Sequence, residues 1–319
     1  MGHQVLPNVF LAGVRRCGTT SVFRWLNDHP SVCTSSEKGT EFLMDRDSPF
    51  LKQDSNYHDH GLKDYGEYFL HHAGESIILD ATTRYYSQET PRRVLSDFDP
   101  RPQVLFLLRD PADRLYSEFR YLKNNRQKLN AEMSFAEFVD SIETNRIDDA
   151  LAREARPDSE RAIEKLAHET RNALGDGRYI EFLIPWREAL GSDHVHVYLF
   201  EELTRNAGPF MQRVARDIGI DSSFYADYRF TKFNGSLCIR NKLVHRCVRG
   251  LKTFLPKTKM SRRIYSTYLQ LQNSPHRQSE EDKAALVSLR SYFRPFNEQL
   301  SSEFGIDLER WEKYEMTAR

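Results

Sequence analysis

The 319-residue chain carries 46 Lys+Arg against 46 Asp+Glu, a formal net charge of zero, so its totals favour neither a nucleic-acid-binding tail nor an acidic polymer partner, and any anion site must be local. No apolar run approaches the roughly 20 residues that span a bilayer. The opening MGHQVLPNVFLAGVRRCGTT passes from a short apolar strand into a Gly-containing turn, so neither an anchor nor a signal peptide is expected in it, and Leu6 stands where a myristoylation signal takes Ser or Thr.

The length admits one large α/β domain or two small ones, and a single domain over 1–319 is expected. Cys17, Cys33, Cys238 and Cys247 contain no C-x-x-C pair, and a chain of this size builds a core without disulfides, so a reducing, cytoplasmic setting is expected. The H-x-H pair His194/His196 sits in an alternating strand that accounts for both residues, and no metal site is expected there or at His58/His60.

In chain order, Val9 to Val14 reads as a strand, Arg15 to Thr20 as a turn large enough to hold a phosphate, and Ser21 onward as a helix stopped by Asn27-Asp28-His29-Pro30. Apolar runs at 77–79 and 104–108 end at Asp80 and at Arg109-Asp110-Pro111, the latter before a helix from about Ala112. Buried strands alternating with helices imply a parallel sheet. The charge-rich stretch 134–172 is expected as a helical insertion packed on that sheet. An aromatic-rich helix (Tyr179, Phe182, Trp186), a strand at 195–200 and a helix at about 209–218 follow. The irregular stretch 232–259, with Arg240, Lys242, Arg246 and Arg249, is basic and suits a lid. A last helix over 281–304, with Leu286, Leu289, Phe293 and Leu300 inward, is expected to break around Pro295.

Two segments carry chemistry. Gly13-Val-Arg-Arg-Cys-Gly18-Thr19-Thr20 has the glycine spacing of a Walker A loop, but Thr19 stands where a nucleotidase needs Lys. The anion-binding physics survives: N–H groups at a helix start, the hydroxyls of Thr19, Thr20 and Ser21, and the charges of Arg15 and Arg16. For this octet alone, a plain strand–turn–helix with solvated arginines is the preferred account of the pattern. The second segment, Leu108-Arg109-Asp-Pro-Ala-Asp-Arg-Leu-Tyr-Ser117, again follows a buried strand and puts an arginine at the strand end and a hydroxyl two turns into a helix, a second phosphate clamp.

Together these segments resemble the 5′-phosphosulfate loop and the 3′-phosphate motif of sulfotransferases that use 3′-phosphoadenosine-5′-phosphosulfate (PAPS), nearer to the heparan sulfate and bacterial branch than to the phenol-type branch. The likeness continues through Gly177-Arg-Tyr179-Ile-Glu-Phe, Val197-Tyr-Leu-Phe-Glu201, and Leu289-x-x-x-Phe293-x-Pro-x-Asn297 with Trp311 beyond. It implies one P-loop-like α/β domain with a central parallel sheet flanked by helices. Arg15, Arg16, Cys17, Gly18, Thr19, Thr20 and Ser21 would hold the 5′-phosphosulfate, Arg109 and Ser117 the 3′-phosphate, with Tyr179 and one of Arg240 or Lys242 also near the nucleotide.

The departures bear on mechanism. The resemblance implies Lys at the position of Arg16; arginine neutralises the same charge but cannot donate a proton near neutrality, so electrostatic stabilisation is its expected role. Glu37-Lys38-Gly39-Thr40-Glu41-Phe42-Leu43 resembles a K-E-x-x-F-F segment whose glutamate is Gly39 here. In an extended segment Glu41 would point to the same side, so it is the first choice for the base, with His60 and Asp80 in reserve; a surface carboxylate paired with Lys38 accounts for Glu41 equally. Asp80-Ala-Thr-Thr-Arg-Tyr85 resembles E-K-[ST]-P-x-Y with Ala81 in place of its lysine, and Asp80 serves either to orient Arg16 or the acceptor, or to cap the next turn. Cys17 is read as a small filler rather than a nucleophile.

The expected reaction transfers a sulfuryl group from PAPS to a hydroxyl, less readily an amine, of a small-molecule, glycan or lipid acceptor, leaving 3′,5′-ADP and requiring no metal. The rivals are a P-loop kinase without its Walker lysine and a non-catalytic nucleotide-binding protein. Neither membrane insertion nor nucleic acid enters the reading.

Overall fold

A computed structural model describes residues 5–130, 132–147, 160–231 and 278–312. Five strands, β1 (Val9–Gly13), β2 (Val32–Thr34), β3 (Ile77–Asp80), β4 (Gln103–Leu108) and β5 (Val195–Leu199), form one sheet in the order β2-β3-β1-β4-β5, and every neighbouring pair is parallel. Both faces of such a sheet are covered, which is why its central strands read as unbroken apolar runs rather than alternating ones: all five residues of β1 are buried, as are Val104 to Leu108 of β4.

Among the described residues the α-helices are α1 (Thr19–Asn27), α2 (Tyr57–His60), α3 (Glu89–Ser96), α4 (Pro111–Arg120), α5 (Phe135–Glu143), α6 (Glu160–Arg171), α7 (Tyr179–Leu190), α8 (Phe200–Arg205), α9 (Ala207–Asp217), α10 (Glu280–Phe304) and α11 (Glu309–Glu312). From β1 the chain builds the half of the sheet that holds β2 and β3, then returns to the other side of β1 for β4 and β5. Connections therefore leave the carboxyl ends of β1 and β4 in opposite directions, and a crevice opens between them; in open α/β sheets this reversal point is where ligands bind. Both segments with anion-binding chemistry follow these two strand ends.

Asp110 starts α4 by accepting the Asp113 N–H at 2.9 Å, and Pro111 at the first helical position gives up no needed donor. On the outer side of α4 a second core forms from Leu115, Phe119, Phe135, Phe138, Leu286 and Phe293. The stretch 134–172 contributes α5 and α6 to it. The capping box of Ser134 and Glu137 fixes the start of α5, a device that contributes about 1 kcal/mol.

Three expectations need correction. β2 was not expected, because three residues are too few to show a period. The strand at 195 ends at Leu199, and Phe200 opens α8 instead of closing the strand. The last helix does not break: α10 runs through Pro295, since the buried stripe of Leu286, Leu289, Phe293 and Leu300 holds both halves and outweighs one missing N–H donor. The basic stretch 232–259, including Arg240 and Lys242, lies outside the described residues. Among the described residues no helix is long and apolar enough to cross a membrane.

Candidate functional site

The turn between β1 and α1 is built around a glycine that cannot be replaced without strain. Gly18 has φ 87, and a Cβ there would lie 2.7 Å from Leu203 Cδ2 and 2.9 Å from a ring carbon of Phe200. Cys17 beside it is fully buried, and burial pushes its thiol up to about 12, which fits a filler and leaves no thiolate near neutral pH. Thr19, Thr20 and Ser21 form the first turn of α1; the Ser21 N–H donates to the Gly18 carbonyl at 2.9 Å, and the N–H groups ahead of it open the helix. Arg16 takes a left-handed backbone, φ 67, unusual for a side-chain-bearing residue and of the kind that collects at ligand clamps.

That backbone sends the Arg16 guanidinium across the crevice. Its Nε and Nη2 donate to Ser117 Oγ at 3.3 and 3.2 Å, and it lies 4.4 Å over the Tyr121 ring. The expected 5′ loop and the expected 3′ clamp thus touch, although 101 residues separate them. Arg109, at the end of β4, stacks on Phe200 at 4.9 Å from the ring centroid. Tyr179, expected beside the nucleotide, is buried, and its hydroxyl donates to the Arg109 carbonyl at 2.8 Å, which ties it to the strand end that carries Arg109.

The three expected bases fare differently. Asp80 is wholly buried and accepts from Tyr65 Oη at 2.5 Å, Thr40 Oγ1 at 2.6 Å and Thr82 Oγ1 at 2.7 Å, with Tyr85 Oη at 3.4 Å. Burial pushes its carboxyl above the usual range and the hydroxyls pull it back. Its oxygens are taken up inside the core, so it meets neither Arg16 nor a bound acceptor. His60 ends the short α2, is exposed, and faces Asp64 at 3.6 Å. Glu41 is not in an extended segment: φ 56 puts it in the left-handed region, which removes the alternation that was to set its direction, and its carboxylate pairs with Arg84, not Lys38.

Arg84 links Glu41 to residues that sequence reasoning missed. It also binds Glu169 of α6; Glu169 binds Arg15 at 2.6 Å; Arg15 binds Glu118 of α4 at 2.6 Å; and Glu118 lies 3.8 Å from Arg16. The result is a ladder of alternating charge, Glu41–Arg84–Glu169–Arg15–Glu118–Arg16, that runs from the 38–43 turn to the anion loop. Burial alone would raise the Glu169 carboxyl, but Arg15 and Arg84 outweigh it and hold it below the usual range. Glu118 adjoins Ser117 in sequence and was within reach of the motif. No sequence signal separates Glu169 from the other carboxylates of its helix. Lys38, the partner expected for Glu41, reaches α1 instead, its ammonium 2.8 Å from Thr20 Oγ1.

The model of the "Sulfotransferase domain" family matches residues 6–241. The chain belongs to the sulfotransferase family. Heparan sulfate glucosamine 3-O-sulfotransferase 5 of Homo sapiens is 22% identical over 300 residues, 93% of this chain and 71% of that protein. Bifunctional heparan sulfate N-deacetylase/N-sulfotransferase 3 of Homo sapiens is 26% identical over 137 residues, 42% of this chain, which spans only 15% of that protein. Among solved structures, a sulfotransferase from Alicyclobacillus acidocaldarius superimposes with a TM-score of 0.65 at 17% identity, covering 97% of this chain and 99% of that one. This likeness corroborates the sulfotransferase fold and its parallel sheet. Among the described residues no cluster of three or more His, Cys, Asp or Glu side chains is set to hold a metal ion.

Proposed function

We propose that this sulfotransferase moves a sulfuryl group from PAPS to a hydroxyl of a small-molecule, glycan or lipid acceptor and releases 3′,5′-ADP. The observation that carries the reading is the contact of Arg16 with Ser117 at the reversal point of the sheet, which brings two anion clamps within one crevice. A nucleotide with phosphates on both its 3′ and 5′ oxygens fits that pair; a nucleoside diphosphate of the ATP type fits only one. The donor set fits too: Arg15, Arg16 and Arg109 bring charge, Thr19, Thr20 and Ser117 bring hydroxyls, and Gly18 keeps the loop clear of a side chain.

The donor supplies an activated sulfur: its bond to the phosphate oxygen breaks as the bond to the acceptor oxygen forms, and the acceptor proton leaves to a base. Arg16 neutralises charge near the loop while the helix N-terminus adds its dipole. For the base, Glu41 stays the first choice. Glu169 shares Arg84 with it, but Glu169 also pairs with Arg15, and the two arginines hold its carboxyl below the usual range, a poor setting for taking up a proton. Glu41→Gln is expected to lower kcat about 10²–10⁴-fold with 3′,5′-ADP binding intact; a near-wild-type kcat would remove it from that role. The cytoplasm remains the proposed setting, in keeping with Cys17 and Cys33, which are buried free thiols.

The test of the donor is thermal. 3′,5′-ADP should raise Tm far more than ADP or 5′-AMP, because it alone fills both clamps. Arg109→Ala should weaken 3′,5′-ADP by about 1.5–3 kcal/mol, the scale of a charge-assisted hydrogen bond. Equal shifts for the three nucleotides, or unchanged affinity in a folded Arg109→Ala protein, would rule out the 3′-phosphate clamp.

A further inference from the structure

Lys38 precedes two left-handed positions, Gly39 at φ 85 and Glu41 at φ 56, which turn the chain sharply just after it. Its ammonium reaches α1, where Nζ donates to Thr20 Oγ1 at 2.8 Å and to Thr19 Oγ1 at 3.3 Å, the hydroxyls of the first two helical residues. Among the described residues its polar partners are these two neutral hydroxyls. The charged group bearing on it is Arg24 of α1, which repels it, while the adjacent Glu37 is turned to Lys52. A cation held by two hydroxyls against a second cation, at the start of a helix that already favours negative charge, is arranged for an anion.

Arg16 does not duplicate this charge. Its planar fork spans from the loop to Ser117 and the Tyr121 ring, between the two clamps, whereas Lys38 offers a compact point charge at the 5′ loop itself. The turn that carries it packs near the Ala81 carbonyl, 3.9 Å from where a Cβ on Gly39 would sit, and Ala81 has no charge of its own to contribute.

We propose that Lys38 is a donor-binding residue of this site, its ammonium holding the anionic oxygens at the 5′ end of the sulfuryl donor. The proposal rests on the donor reading above. Lys38 is exposed as a whole residue, and its ammonium rests on the two threonine hydroxyls of α1; crowding by the surrounding protein, then Arg24, lowers its pKa to about 8. Binding that depends on this charge therefore weakens as the pH rises through about 8, where the free ammonium is lost.

Calorimetry with 3′,5′-ADP and with 3′-AMP, which lacks the 5′-phosphate, tests it. Lys38→Met is expected to weaken 3′,5′-ADP by about tenfold to a hundredfold and leave 3′-AMP unchanged. Lys38→Gln, which keeps a hydrogen-bond donor for the threonines without the charge, should lose as much. Lys38→Arg should retain affinity and no longer weaken above pH 8. Equal losses for both ligands, or a Lys38→Gln protein that binds like wild type, would overturn the proposal. If wild type itself fails to prefer 3′,5′-ADP over 5′-AMP, the donor reading falls and the proposal with it; if wild type shows that preference and Lys38→Met keeps it at full strength, only Lys38 is withdrawn.

Discussion

Replacing Arg16 with alanine should lower kcat by about 10²–10³-fold while the Kd for 3′,5′-ADP changes by less than tenfold. The reason is where charge grows. As the sulfur leaves the phosphate, the oxygen between them gains negative charge, and a cation beside the loop stabilises that state more than it stabilises the bound donor. Arg16 is well placed for this, because its strained backbone and its hydrogen bonds to Ser117 hold the guanidinium inside the crevice before any ligand arrives. Arg16→Lys should recover much of the rate, since it restores the charge without the fork. Single-turnover kinetics with saturating donor separates the outcomes: a change confined to KM would make Arg16 a binding residue only.

Asp80→Ala should cost the fold more than about 3 kcal/mol, read as a drop in the urea midpoint at unchanged slope. The carboxylate gathers four hydroxyls from three separate segments, Thr40, Tyr65, Thr82 and Tyr85, all buried. Removing it strands several donors in a dry core, and each unsatisfied group costs roughly 1–3 kcal/mol. The Tyr85 hydroxyl also accepts the Leu43 N–H at 3.0 Å, so the loss should spread to the turn that carries Lys38 and Glu41. Asp80→Asn keeps the shape and part of the acceptor capacity and should cost less. A folded Asp80→Ala protein of wild-type stability that lacks turnover would reverse the assignment and return Asp80 to the chemistry.

Much of the sheet was legible because a parallel strand buried on both faces leaves a continuous apolar run, which β1, β3 and β4 have, while the edge strand β5 shows an alternating pattern instead. β2 shows neither: Val32-Cys33-Thr34 owes its strand conformation to pairing with β3 rather than to any pattern of its own. The two clamps were legible because each combines a strand end, a helix start and a polar side chain within a short stretch. Lys38, Arg84 and Glu169 were not. Their roles depend on which of several charges on a turn or a helix meets a distant segment, and sequence spacing constrains contacts within an element, not across the fold. The direction of the Glu41 side chain was not legible for a related reason, since it assumed an extended backbone that the left-handed turn at Gly39 and Glu41 does not supply.

The charge ladder joins the anion loop to α6 through Glu169, and α6 comes from the stretch that looked most like an optional addition. Chimeras that exchange this stretch for a relative's would then change more than the rim of the site. A graft without a carboxylate at the place of Glu169 leaves Arg15 and Arg84 facing each other with their shared counter-charge gone, and the repulsion falls on the loop that must receive the donor. Any scheme for retargeting the enzyme by swapping surface segments has to carry that one acid across, or change both arginines with it.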